Sequence, residues 1–560
     1  MVPEVDQFPV AAVPDAPRSP PPVIRRPFLP WLLVGLVASC ASPEEQAEAA
    51  DEEVYALLDA RREALFDRPA GFRVERPEDA MRAELVGKAD IPPLELDLIQ
   101  ALAIAAENSR EWQDQREALY RAALDLTLER WRFGWRPTLT GSAAVTGTGD
   151  SGGDVASGTD LGMSRLFGSG AQVVGGIGVD LLRAISSGDG FDALSSLSLS
   201  VTQPLLRGAA REVVLEPLTQ AERDLVYEVR SYERFRRTFA VDVTSRYYGV
   251  LRAIDSLANE RANRERLQLL RERNEALAEA GKVTSIEVDQ ARQDELRSEV
   301  QLLQLQASLE RQLDAFAIQL GLPVETPLLL DREELERLKT LDGAELDMLA
   351  ADALEELALG ARLDLLTVRD RVIDAERRNR IAADALRAGL DLEASVNSTS
   401  GRDEPLQFRS GNTPWSLGLS FDLPVDRLPE RNLYRSSLLD LDVARRREEA
   451  LRDDILSQVR DDLRQALATR ESYAIQLTAV QLAERRVRDS EMRLDAGRAS
   501  TRDLLESQQA LLRAQNAATS ALIDFALARL GLYRDLELLD LEEDGIRLDS
   551  ARLQALNSTP

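Results

Sequence analysis

The sequence predicts a mainly α-helical chain whose long helices carry two blocks of membrane-type β-strands, with one helix–hairpin–helix unit used twice in tandem. Three observations predict it. Ser196-Leu-Ser-Leu-Ser-Val-Thr-Gln-Pro204 returns 220 positions later as Ser416-Leu-Gly-Leu-Ser-Phe-Asp-Leu-Pro424, with five of nine residues identical. Ala280-Gly281-Lys-Val-Thr-Ser-Ile-Glu287 returns 216 positions later as Ala496-Gly497-Arg-Ala-Ser-Thr-Arg-Asp503. Between such landmarks lie stretches almost free of helix breakers. A fixed period of this kind decides an architecture before any single residue does.

The helices come first in the argument. From about Glu212 to Ala280 the only breakers are Pro217, near the start, and Gly249. At about 1.5 Å per residue such a segment reaches roughly 100 Å. In the second copy Val459, Ala466, Tyr473, Val480, Val487 and Leu494 recur at seven-residue intervals, with Leu456, Leu463 and Leu477 partly filling the companion position. That is a coiled-coil seam, interrupted by Arg470, Glu484 and Glu491. The return helix of the first copy aligns Leu302, Leu305, Leu309, Leu313, Phe316 and Leu320 on one face. Gly281 and Gly497 suit the reversals between paired helices, since glycine tolerates positive φ.

The strand blocks differ in chemistry. Residues 138–203 and 390–423 are rich in Gly, Ser, Thr and Val, and Leu197, Leu199 and Val201 alternate with small polar residues as Leu417, Leu419 and Phe421 do. Period-two alternation over about ten residues is how membrane strands read. Pro204 and Pro424 mark the strand-to-helix junctions, because proline cannot continue a ladder. Trp131, Trp135, Phe408 and Trp415 flank the blocks. They fit an aromatic girdle at a membrane surface and equally fit packing where helices meet strands. The first block is about 30 residues longer than the second. We expect four strands per chain. Four cannot close a barrel, and an open edge is not tolerated in lipid, so closure requires several chains.

Composition narrows the function. The 560 residues contain no histidine, which removes the commonest general base and metal ligand. Cys40 is the single cysteine, so one chain holds no internal disulfide and no thiolate cluster. With 69 basic against 97 acidic residues the net charge is −28, which disfavours nucleic acid as a partner. No catalytic residues, metal ligands or cofactor site are assigned. An enzyme built on paired carboxylates and a lipid-anchored periplasmic coiled-coil scaffold or adaptor are the competing readings. The scaffold would not need two strand blocks at a fixed offset.

The start of the chain reads as an address. Residues 1–24 are proline-rich, Arg25 and Arg26 follow, and Phe28 to Ala38 is apolar but shorter than a spanning helix. The stretch ends Val37-Ala38-Ser39-Cys40, which resembles a bacterial lipobox. The resemblance implies cleavage before Cys40 and lipidation of that residue. Ala41 and Ser42, with no aspartate after the cysteine, favour outer-membrane sorting.

Over residues 90–540 the chain resembles the TolC family of outer-membrane efflux and secretion ducts, in its lipoprotein subgroup. The matching text is Leu96-x-x-x-Gln100-Ala-Leu-x-x-Ala105-x-x-Asn108, Gln203-Pro-Leu-Leu-Arg-Gly208, Pro424-Val-Asp-Arg-Leu-Pro-Glu-Arg-Asn432 and the two Ala-Gly tips. The resemblance implies a homotrimer with a twelve-stranded outer-membrane β-barrel, four strands from each chain, continued by a periplasmic α-helical coiled-coil barrel. It implies a passive channel subunit with no cofactor, contacting a periplasmic adaptor protein and, through it, an inner-membrane pump. It leaves small-molecule efflux and protein secretion both open.

The expected segments are a leader and signal peptide over 1–39, a linker or equatorial segment over 40–92, and a first repeat over 93–322. That repeat holds a hairpin at about 138–203, a long helix at 212–280 and a return helix at 283–320. An equatorial segment follows over 323–347. The second repeat covers 348–539, with a hairpin at 390–423 and helices at 432–496 and 499–530, before a tail over 540–560. Counted from the tip glycines, the family's gate acids fall at Asp503 and Glu506, and in the first copy at Glu287 and Gln290. The resemblance implies that Asp503, Glu506 and Glu287 ring a periplasmic entrance. There, three copies of each acid would raise one another's pKa and attract cations. Gly281, Lys282, Gly497 and Arg498 would be the tip turns and adaptor contacts. Replacing Cys40 with serine should abolish incorporation of labelled palmitate in a bacterial host; undiminished labelling would place the lipid elsewhere or nowhere.

Overall fold

The computed structural model describes residues 42–66, 71–75, 81–88, 91–147, 153–184, 192–341, 343–401, 404, 406–408, 413–542, 545–549 and 552. Cys40 and the leader expected over 1–39 lie outside the described residues. The chain divides into two units, Met1–Glu53 and Val54–Pro560. In the first, the described residues open helix α1 (Pro43–Phe66) with a capping box. Glu45 N–H donates to Ser42 Oγ at 3.2 Å, and Ser42 N–H donates to Glu45 Oε2 at 2.9 Å. The remaining elements belong to the second unit.

The first half of that unit runs α2 (Met81–Leu85), β1 (Leu94–Leu96), α3 (Leu98–Asn108) and α4 (Arg110–Arg132), then strands β2 (Arg136–Gly147), β3 (Gly153–Leu166), β4 (Gln172–Ala184) and β5 (Asp192–Pro204). A short α5 (Arg211–Val214) leads into α6 (Glu216–Glu279), which reverses into α7 (Ser285–Gln319). A connecting stretch holds β6 (Leu328–Leu330), α8 (Glu333–Leu338) and a 3-10 turn at Ala344–Met348. The second half runs α9 (Ala351–Ala361), α10 (Leu363–Asp384), β7 (Gly389–Thr399), β8 (Trp415–Asp422), α11 (Leu428–Asp495) and α12 (Thr501–Asp535). The hairpin β9 (Leu539–Glu542) and β10 (Gly545–Leu548) ends it.

The 64-residue α6 and the 68-residue α11 each begin with a proline at N1 or N2, where the missing amide costs nothing. Gly249 lies inside α6 without breaking it. Neither long helix could stay folded on its own apolar stripe, so each is flanked along its whole length. Nearer the sheet α4 packs on α6, and α10 on α11; beyond the middle, α7 and α12 take over those places. Contacts of α6 with α10 and with α12 join the two halves. Four helices therefore stand side by side at each level. The seven-residue stripe of α11 is the packed face, with Val459, Ala466 and Val487 buried and Tyr473, Val480 and Leu494 half-buried.

The scarce aromatic residues gather at the middle of α6. Trp112 meets Phe239 at 5.2 Å, Phe235 at 5.6 Å and Tyr232 at 6.2 Å between ring centroids, and Tyr247 meets Phe316 at 6.1 Å. Strands β1 and β6 pair in parallel beside them, and Tyr247 OH donates to Leu96 O at 3.1 Å. Leu328, Leu330, Leu335 and Leu338 complete this cluster. The segment joining the two halves is thus anchored on the waist of α6. Where the tail expected at 540–560 begins, Leu539–Glu542 and Gly545–Leu548 form a hairpin, and Ile546 and Leu548 pack on buried clusters.

Charge fixes α6 to α10 just below the sheet. Asp374, 1% exposed, accepts from Tyr227 OH at 2.6 Å and from Arg377 at 2.7 Å, and also bonds Arg223. Arg377 in turn reaches Glu216 at 2.8 Å. Burying a carboxylate costs free energy unless it is paired and hydrogen-bonded, and these donors supply both.

A second cluster is less balanced. Asp535, 1% exposed, is held by Arg534 at 2.7 Å and Gln458 at 2.9 Å, with Arg234 at 3.6 Å. Asp462 stands beside it. Burial, then the Asp535 charge and a hydrogen bond to it, push the Asp462 carboxyl up to about 7, against the pull of Arg534 and Arg362. The unfolded carboxyl titrates near ~3.9. Between these values the folded chain keeps a proton that the unfolded chain has lost, so this residue's contribution falls as pH rises from about 4 to about 7. Asp462→Asn, neutral throughout, should raise Tm at pH 8 by roughly 1 °C for each kcal/mol recovered in a unit this large, and change it little at pH 4. An equal shift at both pH values would rule out the titration.

Candidate transmembrane sheet and helix tips

The sheet holds six strands in the order β2-β3-β4-β5-β7-β8, all antiparallel. This corrects the expectation of four per chain and of one long hairpin over 138–203. The extra length of the first block is spent chiefly on an additional hairpin, β3–β4. Its turn, Phe167–Ala171, sits at the helix end of the sheet. Phe167 N–H donates to Ala171 O and Gly170 N–H to Phe167 O, both at 2.8 Å. Gly170 has φ +81°, and a Cβ there would stand 2.6 Å from Pro204 Cγ and 3.0 Å from Gly208 O, so only glycine fits. Gln203 Nε2 donates to Ser169 O at 2.9 Å. The new turn is thereby pinned to the junction where β5 leaves for α6.

Register places one chemistry on each face. Leu139, Leu161, Ile177 and Leu197 stand opposite one another across β2, β3, β4 and β5. Leu199, Val396 and Trp415 make a neighbouring row across β5, β7 and β8. Leu197, Leu199, Leu417, Leu419 and Phe421 are 40–67% exposed in the single chain. The opposite face carries Thr138, Thr140, Ser142, Gly158, Gly162, Gly176, Gly178, Ser196, Ser198 and Ser200, with Asp154, Asp160, Asp180, Asp391 and Glu393 among them. Gly158 and Gly178 leave room for the Asp180 and Asp160 side chains, which a Cβ would meet at 2.6 Å and 2.4 Å. Among the described residues the end strands β2 and β8 pair on one side only.

The flanking aromatics divide between the two ends. Trp131 and Trp135 lie at the helix end, 56% and 48% exposed, with Arg136 stacked 5.6 Å from the Trp131 ring and Phe167 edge-on to Trp135 at 6.1 Å. Trp415, 74% exposed, begins β8 away from the helices. Phe408 is half-buried in the connection between β7 and β8. Pro204 is the last residue of β5, whereas Pro424 lies two residues past β8. Arg207 bridges to Asp422 at 2.9 Å and Gly208 N–H donates to Asp384 Oδ2 at 2.7 Å, tying both junctions together.

At the far end of the helices the two reversals share one design. Gly281 and Gly497 have φ +70° and +67°. Lys282 N–H donates to Leu277 O and Arg498 N–H to Arg493 O, each at 2.8 Å, while Gly281 N–H donates to Ala278 O at 2.9 Å and Gly497 N–H to Leu494 O at 3.0 Å. Both are complete Schellman motifs. Lys282 and Arg498 point from exposed positions just beyond them.

The three acids expected at an entrance have different occupations. Asp503 closes a capping box on α12: its Oδ2 accepts from Ser500 N–H at 2.9 Å and from Ser500 Oγ at 2.8 Å. Those bonds hold its carboxyl below the ordinary range, the direction opposite to the expected rise. Glu506 is exposed and pairs with Arg502 at 3.1 Å. Glu287 reaches across the two halves, accepting from Thr501 Oγ1 at 3.3 Å; Thr501 Oγ1 in turn accepts from Asn274 Nδ2 at 3.1 Å. Thr501 and Asn274 are buried. Nothing in the sequence pattern singled out Asn274 or Thr501; their signal is only a polar residue in an apolar stripe.

Among the described residues no helix is long and apolar enough to cross a membrane, and no group of three or more acidic or cysteine side chains could hold a metal ion. No family model and no curated protein matches the chain. Solved structures do. VceC of Vibrio cholerae, an outer membrane protein, superposes with a TM-score of 0.57 at 18% identity, covering 78% of this chain and 95% of its own. The CmeC outer membrane channel of Campylobacter jejuni gives 0.57 at 16% identity, covering 82% and 89%. The MtrE outer membrane channel of Neisseria gonorrhoeae, in its open state, gives 0.55 at 16% identity, covering 78% and 88%. The fold is that of the TolC-type outer-membrane channels.

Proposed function

We propose that the chain is the subunit of a passive outer-membrane conduit, a homotrimer whose strands close one barrel and whose helices continue it as a periplasmic tube. The observation that carries this reading is the sheet: one face apolar and exposed, the other small and polar, and both end strands unpaired on their outer side. Water satisfies unpaired amides, and hydrocarbon does not. An apolar face wants lipid, so the edges must find partners in copies of the same chain. The similar structures described as outer membrane channels support the same location.

The exposed tryptophans at both ends of the sheet support an aromatic girdle. The tandem relation of the two halves supports a tube of pseudo-equivalent helices, four from each chain at every level. Lys282 and Arg498 at the tips are the contacts for a periplasmic adaptor, which links the duct to an inner-membrane pump. Cys40 carries a lipid that holds the first segment to the membrane. The chain transports and does no bond chemistry.

Asp503, Glu506 and Glu287 form the periplasmic entrance. The Ser500 cap keeps Asp503 ionised, so an entrance ringed by three such caps presents fixed negative charge toward arriving cations. The Asn274–Thr501–Glu287 chain ties α6, α7 and α12 into one closed tip.

Extraction of outer-membrane fractions with mild detergent should release a particle of three mature chains. A detergent-released monomer would contradict the conduit and favour a lipid-anchored helical scaffold. In planar bilayers, Asp503→Asn with Glu506→Gln should weaken block of single-channel current by divalent cations by about tenfold, some 1.4 kcal/mol. Unchanged block would remove these acids from the entrance.

A further inference from the structure

The two extra strands of the sheet, β3 and β4, bear on the width of the path. Resting on the trimer proposed above, we infer that the outer-membrane barrel has eighteen strands, that β3–β4 is part of its wall, and that the barrel is as wide as the helical tube beneath it.

Three observations seat the extra hairpin in the wall. First, β3 and β4 are bonded along their full length, β3 to β2 and β4 to β5, in one uninterrupted ladder. A loop folded over the mouth would not take both places. Second, they carry the same two-faced pattern as their neighbours: Leu161 and Met163 on β3 and Ile177 on β4 continue the apolar face, while Asp160, Gly162 and Gly178 continue the polar one. A hairpin lying inside the lumen would expose Leu161, Met163 and Ile177 to water. Third, the turn at Phe167–Ala171 is locked against Pro204 and Gly208 at the helix end, so the hairpin spans the height of the sheet.

Adding a hairpin also preserves closure. With an even strand number per chain, β2 runs away from the helices and β8 runs back toward them, so β8 of one protomer meets β2 of the next antiparallel. One added strand would put two edges in parallel and break the cycle; two leave it intact.

Geometry then sets the size. Strands ~4.8 Å apart and tilted ~40° give a backbone diameter of about 36 Å for eighteen strands and about 24 Å for twelve. Twelve helices spaced ~8–10 Å apart give a tube of about 30–38 Å. A twelve-stranded barrel must therefore taper from its helices, whereas an eighteen-stranded one does not. The polar face is lined by glycine, serine and threonine at most positions, which takes little from that width. Four helices and six strands per chain are thus matched in circumference, and the narrowest point of the path lies at the helix tips and not in the membrane.

Electron microscopy of the detergent-purified particle tests this directly. The expected cross-section through the membrane segment shows eighteen strands and about 36 Å between opposite backbones. A variant in which Asn-Gly replaces residues 148–191, joining β2 to β5 by a tight turn, should remain trimeric and narrow to about 24 Å. A native trimer with a twelve-stranded wall and β3–β4 outside it overturns the inference and leaves the conduit standing. A particle that is not a trimer overturns the conduit itself. Should the shortened variant fail to assemble, the strand count of the native particle alone decides.

Discussion

Backbone amides at a sheet edge are the constraint on which the rest of this structure depends. The faces of the six strands divide largely into apolar and polar, with Val174, Leu182 and Leu194 as apolar exceptions on the polar side, the division expected of a membrane wall. In such a wall each unpaired amide costs several kcal/mol. One chain leaves a whole edge of β2 and a whole edge of β8 in that condition. In the proposed assembly, the helices below the sheet hold these edges where neighbouring copies would meet them. The junction contacts of Arg207, Gly208, Asp384 and Asp422 hold the strand ends at fixed positions over α6, α10 and α11.

The helices answer a different problem. Two helices of more than sixty residues have little intrinsic stability, and their sequences are strongly charged. They are stabilised by changing partners halfway, α4 to α7 beside α6 and α10 to α12 beside α11. The handover occurs where the aromatic cluster and the connecting segment with β6 and α8 fill the waist. Near the sheet the halves are joined by the Asp374 cluster, and near the tips by Asn274, Thr501 and Glu287.

Much of this was legible in the residues. The long helices follow from the absence of breakers and from the stripe Val459–Leu494, and the reversals follow from Gly281 and Gly497. The number of strands was not legible, for a physical reason. In β3 and β4 glycines at 158, 162 and 178 make room for neighbouring side chains on the polar face, yet in sequence they look like turns. The true turn, Gly168-Ser169-Gly170, is one glycine pair among many. The extra length of the block was visible and its meaning was not, because two short hairpins and one long one share a composition. The entrance acids show the same limit. A spacing from the tip glycine locates Asp503, but the capping box that Ser500 forms with it also favours a side-chain acceptor at that position, so one residue serves a local fold rule and a proposed charge ring together.

Hydrogen exchange at the outer strands bears most directly on the central claim. In the assembled particle in lipid, amides of β2 and β8 should exchange as slowly as those of β4 and β5, because each edge is covered by the neighbouring copy. Rapid exchange along β2 and β8, with β4 and β5 protected, would mean an open sheet and would contradict a closed barrel made from several chains.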